Sequence, residues 1–433
     1  MGVREESLTK LDAFAGLRNL SKESAVPPGT LRDAVNVDLS REGKLSSREG
    51  YSEVLAPCGN GHSLWSHDLL PFALFADGGE LRAFHSDTTV EAVRDGLSPG
   101  LPISYALVNS DVFWSNGIDS GMVTPALEAE AWACEQPAGQ PDLVPLEEGA
   151  LRGQVQVCIV FVDRIGRESG ATVAAAAVAA GGIRLRSIPQ PSNAARTPRI
   201  RIYAGAGDDT ALMLAAEVPA GTTEHDLIAA PKGRAIATQF LSPMPPGQIV
   251  RYWNGRQLVA RGRGVVWSQA LRYGLTHAGH NHVAFPARVD MMEPVGDGTE
   301  GAGVYVAAGP RTYFMAGGDP GQWRQAGAFA HGAVPGSACV MPASVWGLET
   351  KQLVPAWLAR NGEICVGLPG GTVVSYGQGQ NAAPIGERAA SMLRDSDGIM
   401  RFITAIRGAT PHRMAVADTA IARVYDENGR LKA

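Results

Sequence analysis

The chain of 433 residues has few charged side chains, few aromatic residues and few cysteines. Charged residues make up 19% of it and the formal net charge is −5, so there is no overall attraction for nucleic acid. No apolar run approaches the roughly 20 residues of a transmembrane helix, and the first residues lack the apolar core of a secretory signal. These absences predict a protein that folds in the cytoplasm and has no membrane partner.

Cysteine pairs and helical signals are also scarce. The five cysteines are odd in number and contain no C-x-x-C pair, which predicts neither a disulfide framework nor a thiolate zinc site. In the tail we predict one helical turn, over residues 388–394. We expect every cysteine to be a small, buried apolar residue: Cys58, Cys134, Cys158, Cys339 and Cys365.

Glycine, proline and alternating apolar residues are abundant. The chain has 52 glycines, 28 prolines and 45% apolar residues, a composition typical of a turn-rich β protein. Apolar runs joined by glycine-rich turns predict antiparallel hairpins at 63–86, 103–123, 251–267, 303–315, 356–368 and 402–417. The later units start roughly 45 to 55 residues apart, and we count about six in total, a spacing typical of four-stranded propeller blades.

The region between the second and third units has a different pattern. Residues 137–148, rich in proline and acidic residues, are predicted to form a linker. Turn signals about every ten residues then suit a seven-stranded sandwich. The motifs F-V-D-x-x-G-R-E-S-G, R-I-Y at 201–203 and V-P-A-G-T-T at 218–223 resemble the fibronectin type III-like sandwiches inserted in phage structural proteins. The resemblance implies a module that binds through edges or loops, or that simply fills space on the outside of an assembly, and that performs no chemistry.

Residues 14–51 contain the most specific pattern. A turn at 26–29 precedes alternating apolar residues up to Leu39, and a polar turn at 41–44 begins a return segment, which predicts a hairpin. The order G-L-R-N, P-G-x-L, N-V-D and G-K-L-x-x-R-x-G-Y resembles the N-terminus of tail nozzle proteins (tail tubular protein B) of short-tailed bacteriophages, and of related propellers known as DNA-stabilisation or tail-hub subunits. The chain is shorter than those nozzle proteins, so a smaller tail relative is an equal alternative.

The fold class predicted from these patterns is all-β, with a β-propeller interrupted by an inserted fibronectin III/Ig-like β-sandwich. The predicted divisions are an N-terminal arm or hairpin (1–54), a first part of the propeller (55–146), the sandwich (147–232), a second part of the propeller (233–420) and a polar C-terminal tail (421–433).

Three clusters suggest chemistry, and each has a simpler interpretation. His277, His280 and His282 could ligate zinc or nickel, but their spacing matches no helix face and indicates a solvated loop. The segment from Asp319 to Trp323 is similar to the Asp-box turn of sialidases, but it is one residue short and occurs once. An acidic cluster could bind a cation or simply face solvent: Asp290, Glu293, Asp297 and Glu300. We predict no catalytic residue, no metal site, no cofactor and no enzyme activity.

A basic segment with two tryptophans follows residue 250. It contains Trp253, Trp267, Arg256, Arg261, Arg263 and Arg272. Arginine and tryptophan are the usual anchors of protein interfaces, although a contact with nucleic acid stays open. Together with the arm, this segment supplies the candidate residues for subunit contacts: Arg18, Asn36, Arg48, Tyr51, Trp253, Arg256, Arg261 and Arg263.

The resemblances predict a structural subunit of a bacteriophage tail or neck, a nozzle or hub ring that forms part of the channel for genome retention and ejection. The expected partners are copies of itself in a hexameric or dodecameric ring, the portal or adaptor, other tail proteins, and phage DNA that passes without sequence-specific binding. The expected location is the virion, after assembly in the host cytoplasm. The alternatives are a carbohydrate-binding or depolymerising module at the tail tip that recognises the host, and a cellular propeller scaffold unrelated to phage.

Overall fold

The computed structural model describes residues 13–21, 26–40, 42–50, 52–53, 59–206, 211–296, 298, 300–348, 352–396 and 398–409. The chain divides into two compact units, one of Met1–Ala56 with Pro286–Ala433 and one of Pro57–Phe285. Within the described ranges the regular structure consists of 33 strands and two short 3-10 helices. No helix among these residues is long and apolar enough to cross a bilayer.

The N-terminal arm ends in a short hairpin. Strand β1 (Val37–Leu39) pairs antiparallel with β2 (Leu45–Ser47). The strand predicted from the alternation that begins at Leu31 is shorter than expected, because Leu31 forms only an isolated parallel bridge with Leu17. Asn36 takes a left-handed φ of 55°, which interrupts the extended backbone just before β1.

Two four-stranded antiparallel sheets begin the unit of Pro57–Phe285. In each sheet, consecutive strands are neighbours. The hairpins predicted at 63–86 and 103–123 are confirmed as strand pairs of these sheets, and their apolar side chains share one core around Leu74, Val112 and Trp114. The strands are β3 (His62–Trp65), β4 (Phe72–Asp77), β5 (Glu80–His85), β6 (Val90–Arg94), β7 (Ser104–Val108), β8 (Asp111–Ser115), β9 (Ser120–Val123) and β10 (Ala129–Glu130).

Seven strands between Asp142 and Leu227 form a sandwich. They are β11 (Asp142–Leu146), β12 (Gly153–Val162), β13 (Ala175–Ala179), β14 (Gly182–Arg186), β15 (Arg199–Ala206), β16 (Met213–Pro219) and β17 (His225–Leu227). One sheet has the order β11-β14-β17 and the other β13-β12-β15-β16. Both contribute to one core, with Val157 and Ile159 from β12, Leu185 from β14 and Ile202 from β15. Burial of each such side chain contributes about 1.5–3 kcal/mol.

The sandwich begins earlier in the chain than predicted. Residues 142–146, assigned above to a linker and to the first part of the propeller, form β11 and pair with β14 over five positions. Pro145 is compatible with this strand because β11 lies at the sheet edge, where one row of backbone groups needs no partner. The predicted division at residue 147 therefore falls after the first strand of the sandwich.

A third four-stranded sheet follows the sandwich and has the order β19-β20-β21-β23. Asn254 and Gly255 form the two-residue turn between β19 and β20, and both have positive φ, as a type I′ hairpin turn requires. A separate two-stranded sheet joins β18 and β22. The bounds are β18 (Ser242–Pro243), β19 (Ile249–Trp253), β20 (Arg256–Arg261), β21 (Gly264–Trp267), β22 (Leu275–Thr276) and β23 (His282–Ala284).

The unit that contains Pro286–Ala433 has two more four-stranded antiparallel sheets in chain order. Tyr305 and Trp357, one from each sheet, meet in a shared core with their ring centroids 5.6 Å apart. The strands are β24 (Val289–Val295), β25 (Gly303–Ala308), β26 (Arg311–Ala316), β27 (Arg324–Phe329), β28 (Cys339–Pro342), β29 (Leu353–Leu358), β30 (Ile364–Gly367) and β31 (Val373–Tyr376). The 3-10 helices are Pro320–Gln322 and Ala343–Trp346.

A long hairpin ends the described part of the chain. Strand β32 (Arg388–Ser396) pairs with β33 (Ile399–Arg407) over nine positions. The helical turn predicted at 388–394 is therefore wrong. Leu393 and Phe402 pack into the core of the same unit, and this tertiary packing overrides the helix preference of the local sequence. The predicted polar tail, 421–433, lies outside the described residues.

The all-β fold class is confirmed. Besides the sandwich, the described residues contain five four-stranded antiparallel meanders, the sheet type from which β-propeller blades are built. The hairpins predicted at 251–267, 303–315 and 356–368 each belong to one of them. The fibronectin type III assignment of the sandwich stays a prediction.

Candidate functional site

The arm is fastened to its own unit by hydrogen bonds from the Asn19 side chain and from the backbone. Asn19 makes two hydrogen bonds of 2.9 Å with Ala382, one from its Nδ2 to the carbonyl and one from the Ala382 N–H to its Oδ1. The N–H of Leu20 donates to the carbonyl of Gln380 at 3.2 Å. Arg18, a predicted contact residue, is half-buried beside these contacts, and its N–H donates to Leu31. This part of the arm is therefore held by the loop that precedes β32.

Two predicted contact residues, Asn36 and Arg48, lie together at the hairpin of the arm. Both are exposed, and the N–H of Arg48 donates to the carbonyl of Asn36 at 2.9 Å. They line a shallow groove with β2, whose three residues are all exposed. In the described part of the chain, β2 pairs only with β1, so its second edge is open to another strand. Tyr51, the remaining arm candidate, lies outside the described residues.

The candidates after residue 250 do not form one patch. Trp253 is 1% exposed and belongs to the interior of its unit, so the prediction that it contacts another subunit does not fit its position. Arg256 is half-buried and donates through Nη1 to the carbonyl of Ser268 at 3.0 Å. Arg261 is the last residue of β20 and Arg263 lies in the turn before β21, and both are exposed. Nε of Arg263 donates to the carbonyl of Phe285 at 3.1 Å. Among the described candidates of this segment, these two offer exposed side chains to a partner.

Arg272 belongs to a different group of charges, which the sequence did not predict. Its Nη1 lies 3.8 Å from Oε2 of Glu168, a buried residue of the F-V-D-x-x-G-R-E-S-G motif. The other oxygen, Oε1, accepts hydrogen bonds from Arg201 at 2.8 Å, Arg234 at 2.7 Å and the hydroxyl of Tyr203 at 2.6 Å. One carboxylate thus joins four separate chain segments.

The surroundings of Glu168 keep it ionised. Burial alone would raise the pKa of this carboxyl, but hydrogen bonds from Tyr203 and Arg201 outweigh burial, and the charges of Arg234 and Arg201 act in the same direction. The pKa of Glu168 is therefore lowered. Burial and the neighbouring carboxylate raise the pKa of Tyr203, so its hydroxyl remains a donor. The arrangement fixes structure and leaves no free acid or base.

The same motif fastens the sandwich to the neighbouring four-stranded sheet. Arg164 binds Glu128 and Glu130, which lie at and just before β10. Arg167 pairs with Asp163 at 2.8 Å and donates to the carbonyls of Ala131 at 2.8 Å and Trp132 at 3.2 Å. Next to them, a Cβ on Gly170 would lie 2.1 Å from the carbonyl oxygen of Leu241, so only glycine fits. We call this set of contacts the sandwich joint.

The histidine cluster and the segment from Asp319 to Trp323, both considered above for chemistry, make contacts that stabilise local structure. The ring centroids of His277 and His280 lie 4.4 Å apart. The described residues contain no group of three or more His, Cys, Asp or Glu side chains placed to hold a metal. Asp319 accepts from the N–H of Gly321, and Nε1 of Trp323 donates to Gly317 at 3.1 Å, which stabilises a local turn.

The acidic residues and cysteines are similarly placed. Asp290 pairs with Arg360 at 3.0 Å and Glu293 is buried, while Asp297 lies outside the described residues. The prediction of buried cysteines is confirmed at three of the five positions, Cys134, Cys158 and Cys365. Cys339 is half-buried and Cys58 lies outside the described residues. Burial raises the pKa of Cys158 to about 11, so its thiol stays protonated.

Comparisons with known proteins identify no family. No family model and no curated protein matches the chain. Among solved structures it is similar to BBS1N in complex with ARL6DN (13% identity, 82% of this chain and 90% of that chain, TM-score 0.32) and to virginiamycin B lyase from Staphylococcus aureus (8% identity, 85% and 90%, TM-score 0.28). It is also similar to the N-terminal domain of Nup159 (9% identity, 79% and 71%, TM-score 0.26). Likenesses this weak support no conclusion about function, and the fold class follows from the sheet topology alone.

Proposed function

We propose that the protein is a structural subunit of a bacteriophage tail or neck, a nozzle or hub ring that forms part of the channel for genome retention and ejection. The observation that carries the proposal is the N-terminal arm. Its motif order resembles that of tail nozzle proteins, and two of the motif residues, Asn36 and Arg48, are exposed beside the open edge of β2. An open strand edge and exposed polar side chains suit a contact with a neighbouring subunit.

The mechanism under this proposal is architectural. A ring closes when one surface of each subunit binds a different surface of the next subunit. The arm hairpin would provide one such surface and the turn with Arg261 and Arg263 another. The other partners would be the portal or adaptor and further tail proteins. The low net charge would let phage DNA pass through the ring without sequence-specific retention.

Quantitative mass spectrometry of purified virions from the phage that encodes the chain tests the proposal. Copies of this protein relative to the portal should match a single closed ring. Virions grown with Arg48→Glu should contain fewer copies, whereas Arg324→Glu, an exposed arginine on β27, should leave the ratio unchanged. Absence of the wild-type protein from particles would contradict the proposal.

A further inference from the structure

One face of the β32–β33 hairpin carries four arginines in two cross-strand pairs, of which Arg388 and Arg407 are exposed and Arg394 and Arg401 are half-buried. The register places Arg388 opposite Arg407 and Arg394 opposite Arg401. Side chains alternate between the two faces of a strand, so residues six apart share a face, and all four arginines lie on the same one. Leu393 and Phe402 belong to the opposite face, which packs into the core. We call the four arginines, Arg388, Arg394, Arg401 and Arg407, the arginine ladder.

Two like charges directly opposite each other destabilise a strand pair, and the ladder contains two such pairs. Nearby hydrogen-bond and ion-pair partners offset this repulsion between the arginines only in part. Arg394 lies 3.6 Å from Glu49, which is 82% exposed, and Arg401 donates to the carbonyl of Leu39 at 3.5 Å. Arg388 and Arg407 are exposed, and no carboxylate among the described residues lies within ion-pair distance of either. The ladder therefore has capacity for an external anion.

The spacing of the ladder narrows the identity of that anion. The two arginine pairs lie six residues apart, about 20 Å along the hairpin at 3.3–3.4 Å per residue. The major groove of B-form DNA is about 12 Å wide and admits a two-stranded ribbon. Because the roughly 20 Å between the pairs exceeds the width of the groove, a ribbon laid across it would place one arginine pair over each of the two phosphate backbones that border the groove. Between the pairs, Ala390, Met392, Ile403 and Ala405 present no charge to the groove.

We propose that the arginine ladder binds the phosphate backbones of double-stranded DNA, with the β32–β33 hairpin lying across the major groove. Guanidinium groups match phosphate geometry with paired hydrogen bonds, so arginine suits this contact. The contact would be independent of base sequence because it is made with phosphates. This inference does not depend on the proposed function, since a protein that never enters a virion could bind DNA in the same way.

Fluorescence anisotropy of the full-length protein with a labelled 30-base-pair duplex of arbitrary sequence tests the proposal. We expect binding at 50 mM NaCl, and a slope of about −3.6 for log K against log salt if four phosphates are neutralised at about 0.9 each. Arg388→Gln with Arg407→Gln should halve the slope to about −1.8 and weaken binding at least about tenfold at 100 mM salt. Arg388→Lys with Arg407→Lys retains the charge and should keep most of the slope, which also shows that the hairpin tolerates substitution.

A matched control removes two exposed arginines elsewhere, Arg152→Gln with Arg196→Gln, and should leave the slope unchanged. No binding by the wild-type chain at 50 mM NaCl overturns the proposal. An equal loss of DNA affinity in the control variant also overturns it, because binding would then depend on the net charge of the protein and not on the ladder. If the ladder variants change self-association in sedimentation but not DNA affinity, the ladder is a protein contact and the proposal is wrong. Virion copy number is measured separately, so either proposal can fail without the other.

Discussion

Glu168 shows how one buried charge can connect distant parts of a chain. Its partners Arg201 and Arg234 lie 33 and 66 residues further on, and each approaches the same oxygen. Hydrogen bonds to a charged group contribute about 1.5–3 kcal/mol each, more than bonds between neutral groups. Replacement by glutamine keeps the shape of the side chain and removes the charge, so this variant isolates the electrostatic part of the network.

We predict that Glu168→Gln lowers stability by about 2 kcal/mol at pH 7, and that the loss disappears in acid. Because the folded-state pKa of Glu168 is lowered, its charge contributes stability fully above the unfolded value of about 4.3 and loses that contribution as pH falls through the folded value. Thermal unfolding midpoints of wild type and variant, measured from pH 7 to pH 3, should therefore differ most at pH 7 and draw closer as pH falls below the unfolded value of about 4.3.

The control for this prediction is Glu224→Gln. Glu224 pairs with Arg186 at 3.5 Å, and both side chains are about half exposed, so the pair should contribute less than about 1 kcal/mol at any pH. A midpoint difference for Glu168→Gln that stays constant from pH 7 to pH 3 would show that the carboxylate charge does not stabilise the network.

Single residues were the hardest level to predict from sequence. The motif around Glu168 was recognised as a pattern, but its partners come from β15 and from segments beyond β16, and no local rule pairs residues that far apart. Trp253 was predicted at a surface because tryptophan is common at interfaces. It is buried because it ends β19 just before the Asn254-Gly255 turn and faces the interior. Among the candidates that the structure describes, which exclude Tyr51, those that combine a predicted role with exposure are Asn36, Arg48, Arg261 and Arg263.

At the scale of elements, the sandwich joint depends on a close approach of two backbones. A Cβ on Gly170 would meet the carbonyl oxygen of Leu241 at 2.1 Å, and backbone cannot move aside as a flexible side chain can. We predict that Gly170→Ala costs about 1–3 kcal/mol, the range found for overpacking. Hydrogen exchange measured by mass spectrometry should show faster exchange in peptides that cover β12 and the 238–241 segment.

Gly327→Ala is the matched control for the joint. Gly327 lies on β27, is exposed, and has no atom within 4 Å of a built Cβ, so alanine should leave exchange unchanged or slow it slightly. Unchanged exchange in Gly170→Ala would mean that the backbones at Gly170 and Leu241 can move apart without loss of stability. The contacts of Arg164 and Arg167 would then be the ones that hold the sandwich joint together.

Strands were predicted well where two signals agreed. Alternating apolar residues and a turn with positive φ occur together at β4–β5, β7–β8 and β19–β20, and all three hairpins are present. At β32 the signals conflicted, because Arg388 to Arg394 is rich in alanine, methionine, leucine and arginine, which favour helices. Its partner β33 contains the β-branched residues Ile399, Ile403, Thr404 and Ile406, which favour strands. Because residues 388–396 pair with this strand, they form a strand instead of a helix.

For the molecule as a whole, the fold class followed from repeated spacing, since hairpins that recur at a fixed interval indicate repeated sheets. The start of the sandwich could not be predicted from the sequence. The composition of 137–148 suggested a linker, and the pairing of β11 with β14 joins residues about 40 positions apart. Subunit contacts cannot be predicted in the same way, because the spacing of hairpins along the chain does not show which surfaces bind another subunit. The exposed pair Arg261 and Arg263 is where such a contact can be tested directly.

If the protein forms a ring through this turn, reversing both charges should break it. We predict that Arg261→Glu with Arg263→Glu shifts the purified protein from a closed oligomer toward monomer in native mass spectrometry, because like charges across an interface cost several kcal/mol. Arg311→Glu with Arg324→Glu changes the net charge equally at exposed positions outside the predicted set and should preserve the oligomer. A wild-type chain that is monomeric at the highest concentration tested would contradict the prediction. A double variant that remains fully oligomeric would exclude this turn as a subunit contact and would leave the open edge of β2 as the candidate surface to test with Arg48→Glu.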